Sequence, residues 1–356
     1  MWASFSIYHL SFIICHFRIR VIFTANSDTP SPTRVTCSAE HLPALVGPHD
    51  QNLRVLEDAL SVHIQPRDQC VEVSGEAQAA EQAAAVLAHL LAGIARGQAP
   101  TLEEVHLAVR QVQGAALPTP AETESLEGPL IVTHRGKQVR AKTRGQIEYA
   151  RAVRGNDLVF CAGPAGTGKT YLAMAMAAAA LRQGETSRII LTRPIVEAGE
   201  ELGFLPGDIM EKVDPYLRPL HDALHDVMGA DQFQRYLTRG TIEVVPLAYM
   251  RGRTLNDAFI VLDEAQNTTA GQMKMALTRM GFGSKMIVTG DTTQTDLPRT
   301  MKSGLLHAIE VLDGLPGLAV VRLGRADIVR HDLVQRIVEA YENAERVARE
   351  ARPGEE

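Results

Sequence analysis

Residues 158–170 read LVFCAGPAGTGKT: an apolar, strand-like run enters a glycine-rich turn and leaves it in a helix-forming segment. Gly163, Pro164, Ala165, Gly166, Thr167, Gly168, Lys169 and Thr170 match the pattern GxxxxGK[ST] in full. A strand before it and a helix after it are the context that makes the pattern a phosphate cradle rather than a chance turn. Glycine keeps Cβ atoms away from the backbone amides that face phosphate oxygens, and the helix N-terminus behind them adds favourable positive potential. Lys169 is expected to reach the β and γ phosphates, and Thr170 to bind magnesium.

Downstream, the apolar run 259–262 ends in Asp263 and Glu264, followed by Ala265, Gln266 and Asn267. A buried strand delivers its terminal carboxylates to the sheet edge that carries the cradle, so Asp263 is placed to hold the magnesium shell. Glu264 is placed to orient and deprotonate an attacking water. A third strand, 286–289, leads into Gly290, Asp291, Thr292, Thr293 and Gln294. The Gln294 amide can bond both the γ phosphate and the water and so report which nucleotide is bound; the other reading of this stretch is a turn with an Asp cap. Two acids and a glutamine favour water over a metabolite as the phosphoryl acceptor, which argues against a small-molecule kinase.

Apolar β-rich runs at 158–161, 189–192, 242–246, 259–262, 286–289 and 318–322 alternate with helical patterns. That alternation predicts an α/β domain with a mostly parallel sheet covered on both faces, with its ligand at the carboxyl ends of the strands. The segments GPAGTGKT, LTRPIVEAGEELGFLPGD, PLAYMRGRTLNDAFIVLDEAQNTT and VTGDTTQTDLP together resemble the PhoH family, over about residues 142–343. The resemblance implies a RecA-like P-loop ATPase related to superfamily 1 helicase cores, linked to RNA metabolism and phosphate starvation. It also implies partnership with a single-strand-specific endoribonuclease of ribosomal RNA maturation.

Residues 142–146, KTRGQ, are similar to the adenine-recognition segment of helicase cores, which makes Gln146 the candidate for preferring ATP over GTP. Helicases of this class use two RecA-like domains, and only one P-loop core fits here. A neighbouring subunit of a homo-oligomer, such as a ring, could then supply an arginine finger, with Arg279 and Arg330 as candidates. Arg193, Arg251 and Arg253 could follow an RNA backbone by charge, or could pair with Glu197, Glu200 or Glu201. The two readings of function are an RNA-coupled ATPase and a nucleotide-gated adaptor that recruits the endoribonuclease.

Ahead of this core, helix 52–60, strands 62–64 and 70–73, and an alanine-rich helix from Glu76 are similar in order to half of a KH domain, a small α+β RNA-binding fold. The loop that would clamp phosphates reads Gly47, Pro48, His49 and Asp50; it lacks the second glycine, and Asp50 fits a helix N-cap equally well. The expected organisation is a poorly ordered leader (1–36), a KH-like domain (37–98), a helical segment and linker (99–140), the RecA-like domain (141–342) and a charged tail (343–356). At 356 residues and 45% hydrophobic composition, a disordered chain is excluded. A net charge of −6 limits nucleic-acid contact to local basic patches. Cysteines 15, 37, 70 and 161 form no CxxC pair, so neither a zinc site nor a disulfide framework is indicated. His221 and His225 stand at i, i+4 spacing, but Asp222 follows the first where a zinc hydrolase needs Glu. The apolar run 7–23 contains Arg18 and Arg20 and has no signal-peptide layout, so a cytoplasmic protein without stable membrane association is expected.

Overall fold

The computed structural model describes residues 9–14, 17–22, 32–67, 69–114, 117, 128–195, 209–298 and 301–330, with scattered positions between 333 and 344. Two compact units emerge: Met1–Ala121 with Val329–Glu356, and Glu122–Ile328.

The first unit contains strands β1 (His9–Ile14), β2 (Phe17–Ile22) and β3 (Thr33–Thr36), helices α1 (Leu42–Val46) and α2 (Gln51–Leu60), strands β4 (His63–Pro66) and β5 (Cys70–Ser74), and helices α3 (Ala77–Ile94) and α4 (Leu102–Gly114). Its antiparallel sheet runs β1-β2-β3-β5-β4. β3 falls inside the stretch expected to be a leader, yet Val35 is fully buried and pairs with Val71. Alternation places Val35, Ile64, Val71 and Val73 against α3, whose Ala83, Val86, Leu87 and Leu90 form the other half of the core. Asp50 does not cap α2: its φ is 59° and its side chain makes no capping bond. Instead Asn52, buried beneath Gly47, donates from Nδ2 to the Leu45 carbonyl at 3.1 Å.

The second unit opens with the short hairpin β6 (Ile131–Val132) and β7 (Gln138–Val139) and continues α5 (Arg144–Gly155), β8 (Leu158–Ala162), α6 (Lys169–Gln183), β9 (Arg188–Arg193), α7 (Ile209–Met228) and α8 (Ala230–Thr238). It ends β10 (Ile242–Pro246), β11 (Ala258–Leu262), α9 (Ala270–Leu277), β12 (Lys285–Gly290), α10 (Gly304–Leu312) and β13 (Leu318–Arg322). All six long strands pair in parallel, in the order β10-β9-β11-β12-β8-β13, which is the RecA-like α/β architecture.

Strand alternation divides the interior between two faces. Val159, Cys161, Ile189, Leu191, Phe259, Val261 and Ile287 pack with α5, α6, α7 and α8, while Phe160, Ile190, Ile260 and Val288 pack with α9 and α10. The alanine-rich α6 is buried from Leu172 through Ala180; its small side chains let it lie close against the sheet. His221 and His225 pack on Phe233, with ring centroids 5.4 and 4.7 Å away, so the i, i+4 pair serves the α7–α8 contact. Among the described residues no cluster of His, Cys, Asp and Glu suits a metal by itself, and no helix is long and apolar enough to cross a membrane.

Candidate nucleotide site

Register places the chemistry on one edge. Ala162 pairs with Gly290, Leu262 with both Val288 and Thr192, and Arg193 with Pro246. The P-loop after β8, the acids after β11, the Asp291 loop after β12 and Arg193 at the end of β9 therefore emerge side by side.

The P-loop turns through Gly166 (φ 85°) and Gly168 (φ 79°), conformations that a side chain would strain. Gly163 admits no side chain for a different reason: a Cβ would lie 2.6 Å from the Leu323 carbonyl on β13's flank. Lys169 is buried and folds back over the loop, donating from Nζ to the carbonyls of Gly163 at 2.6 Å and Pro164 at 2.8 Å. Burial lowers its pKa below the usual lysine range, against the opposing pull of Asp291 and then the more weakly acting Cys161, Glu264 and Asp263. Such a desolvated ammonium gains when an anion enters the loop.

Asp263 is buried at the strand end, and its Oδ1 accepts from Thr170 Oγ1 at 2.6 Å and Thr289 Oγ1 at 2.7 Å. Thr289 had no signal in the sequence beyond its place in an apolar run. The hydroxyl and carboxylate of Thr170 and Asp263 are hard oxygen donors and too few to cage a cation, which suits magnesium completed by phosphate oxygens and water. Asp291 adds a buried carboxylate whose Oδ2 has no hydrogen-bond partner among the described residues, while Oδ1 accepts from Thr293 N at 2.8 Å and Thr293 Oγ1 at 2.6 Å. An orphaned buried carboxylate oxygen fits a site that takes a cation or an ordered water.

Glu264 takes φ 52°, the left-handed conformation disfavoured for a side-chain-bearing residue, and this turns its carboxylate off the strand line. Gln266 Nε2 donates to its Oε2 at 2.5 Å, and Gln266 Oε1 accepts from Asp291 N at 2.9 Å. Asn267 and Asp296 exchange a reciprocal pair of bonds, both 2.9 Å. Two adjacent amides thus staple the turn after the acids to the loop after β12. Gln294 lies on that loop and is exposed, clear of Glu264's hydrogen bonds.

Gln146 is buried with both amide atoms used inside the protein: Nε2 donates to Thr167 O at 3.0 Å and Oε1 accepts from Lys142 N at 2.8 Å. In this conformation it braces the P-loop instead of presenting an edge to a base. Sequence reasoning missed its support, Asp327, from the far end of the unit. Asp327 accepts from Thr143 Oγ1 at 2.5 Å, Gly145 N at 3.1 Å and Gly324 N at 2.8 Å.

The arginines separate by what they touch. Arg279 is tied to its own helix end and to Arg253 O, at 3.0 and 2.9 Å. Arg330 falls in the first unit. Arg253 pairs with Glu243 at 2.7 Å, whereas Glu197, Glu200 and Glu201 lie outside the described residues. Arg251 is exposed. Arg193 Nη2 stands 3.4 Å from Glu264 Oε1, and Nη1 donates to Tyr216 O at 3.2 Å.

The chain matches the family model described as PhoH-like protein over residues 138–342. It is 52% identical over 300 residues to the PhoH-like protein of Bacillus subtilis, covering 84% of this chain and 93% of that one. It is 53% identical over 297 residues to the PhoH-like protein of Mycobacterium tuberculosis H37Rv, covering 83% of this chain and 84% of that one. Identity to Protein PhoH of Escherichia coli K12 is 48% over 206 residues, covering 57% of this chain and 58% of that one. With a parallel P-loop domain whose strand-end Asp263 meets the loop at Thr170, and with these relatives, the chain belongs to the PhoH-like protein family.

Proposed function

We propose that the second unit binds ATP with magnesium and hydrolyses it, and that this turnover is coupled to RNA binding or remodelling. The observation that carries the reading is the contact of Thr170 with Asp263 at 2.6 Å, with Glu264 next in the chain. Phosphate-side and water-side chemistry thereby meet at one point. Lys169 would move from the loop carbonyls to the β and γ phosphates, and Thr170 with Asp263 would hold magnesium. The metal supplies charge neutralisation for the departing ADP. Water attacks the γ phosphorus, its proton passes to Glu264, the bond to the β-phosphate oxygen breaks, and Gln294 closes on the phosphate as sensor. Arg193 and Arg251 on the same edge would follow an RNA backbone. An arginine finger from a neighbouring copy in a homo-oligomer, with Arg330 as the candidate because Arg279 is held by Met275 O and Arg253 O, would complete the site. The endoribonuclease partnership and cytoplasmic setting implied by the family resemblance fit this reading.

A nucleotide-gated adaptor is the second reading, favoured by the engagement of both Glu264 oxygens inside the protein, which keeps turnover slow. The test is steady-state hydrolysis by the chain and its Lys169→Ala variant, with and without single-stranded RNA, across protein concentration. Turnover that requires Lys169 and rises with RNA and concentration supports the RNA-coupled enzyme. Tight ATP binding with negligible turnover throughout supports the adaptor.

A further inference from the structure

The two groups that occupy Glu264 differ in kind. Gln266 is buried, and its second amide atom is fixed by Asp291 N, so it cannot leave without breaking the staple between the two loops. Arg193 sits on the open edge, its side chain 21% exposed beside a Glu264 side chain 36% exposed. Their separation of 3.4 Å exceeds the roughly 2.7–2.9 Å of a good charge-assisted hydrogen bond. The guanidinium is shared with a neutral carbonyl, Tyr216 O, so its planar fork meets no bidentate acceptor there. A phosphodiester offers that geometry, and arginine answers phosphate with two parallel bonds.

Arg193 and Glu264 are neighbours because of strand register, not chance. Thr192 pairs with Leu262, and the Thr192 carbonyl accepts from Asp263 N at 2.9 Å, so Arg193 leaves its strand beside Asp263, with Glu264 one residue further on and within reach of the guanidinium. A carboxylate whose two oxygens both face donors is poorly placed to take a proton from water. Moving Arg193 away frees Oε1 while Gln266 keeps the carboxylate oriented through Oε2.

We propose that Arg193 restrains Glu264 and that a backbone phosphate of single-stranded RNA draws its guanidinium off, so that RNA binding at this residue releases the base for water activation. The proposal rests on the hydrolytic reading of the site. It makes Arg193 a positioning residue, with the phosphodiester as the ligand it exchanges for Glu264.

The experiment is steady-state ATP hydrolysis by the full chain, Arg193→Ala and Arg193→Lys, with and without a uridine 20-mer, alongside titration of each with a fluorescent ATP analogue. Arg193→Ala is expected to raise RNA-free turnover about fivefold, the factor that corresponds to losing an exposed ion pair. Nucleotide affinity should stay unchanged and stimulation by the 20-mer should be lost. Arg193→Lys, which keeps a cation without the fork, should lie between. A purely structural arginine would lower turnover when removed, so a gain separates the two roles. RNA-free turnover that falls or stays level in both variants while RNA still stimulates overturns the restraint and leaves the hydrolytic reading intact. Absence of turnover in all three chains, each with ATP bound, overturns the restraint and the hydrolytic reading together.

Discussion

Asp327→Ala isolates the brace behind the P-loop. The carboxylate is buried and accepts three bonds, from Thr143 Oγ1, Gly145 N and Gly324 N. Hydrogen bonds to a charged acceptor contribute roughly 1.5–3 kcal/mol each. The Thr143 hydroxyl and the backbone amides can partly recover water, so a total near about 3 kcal/mol is expected rather than the full sum. For a unit of this size each kcal/mol moves the melting temperature by roughly 2–4 °C, which gives a drop of about 6–12 °C. The same loss frees Thr143, which caps α5 by accepting from Gln146 N at 3.1 Å, and through Gln146 loosens the bond to Thr167 O. Nucleotide affinity should therefore fall together with stability, although Asp327 is absent from the phosphate cradle itself. Differential scanning calorimetry and titration with a fluorescent nucleotide read the two effects on one preparation. Gly145→Ala serves as an independent perturbation, because its Cβ would stand 2.6 Å from the Asp327 carboxylate oxygens. A melting shift below about 2 °C in Asp327→Ala, or a full shift with nucleotide affinity unchanged, would refute the chain of bonds from Asp327 through Thr143 and Gln146 to the P-loop.

Lys169 has a pKa lowered by burial, and only its ammonium form attracts phosphate. Nucleotide affinity should be complete below that lowered pKa and decline as pH rises through it, before the ordinary lysine range is reached. Lys169→Met should bind weakly at every pH and melt no lower than the parent, since it removes a desolvated charge; isothermal titration across alkaline pH checks both. Lys285 Nζ reaches the carbonyls of Val153, of Arg154 at 3.5 Å and of Asn156 at 2.8 Å, closing the C-terminus of α5. Lys285→Met should lower stability by roughly 1–2 kcal/mol, measured by denaturant titration, through loss of the cation at a helix C-terminus.

The sequence alone determined the α/β class and the position of all six parallel strands, and it placed the glycine-rich loop, Asp263 and Glu264 at strand ends, where the structure has them. These features are local: a strand's apolar run and a contiguous loop motif are complete within a dozen residues, so no distant information is needed to recognise them. Tertiary structure decided which side chains those residues meet. Thr143 and Asp327 are 184 residues apart, and nothing near either of them names the other. Gln146 looked like a base-reading amide because its spacing is local, but the fold turns both of its amide atoms inward. Arg193 and Glu264 became neighbours only through the register of β9 against β11. Arg279 looked available until the turn at Arg253 closed on its guanidinium. A hydrogen bond requires two groups within about 3 Å with aligned geometry, and for residues far apart in sequence that coincidence exists only after the sheet has set their register.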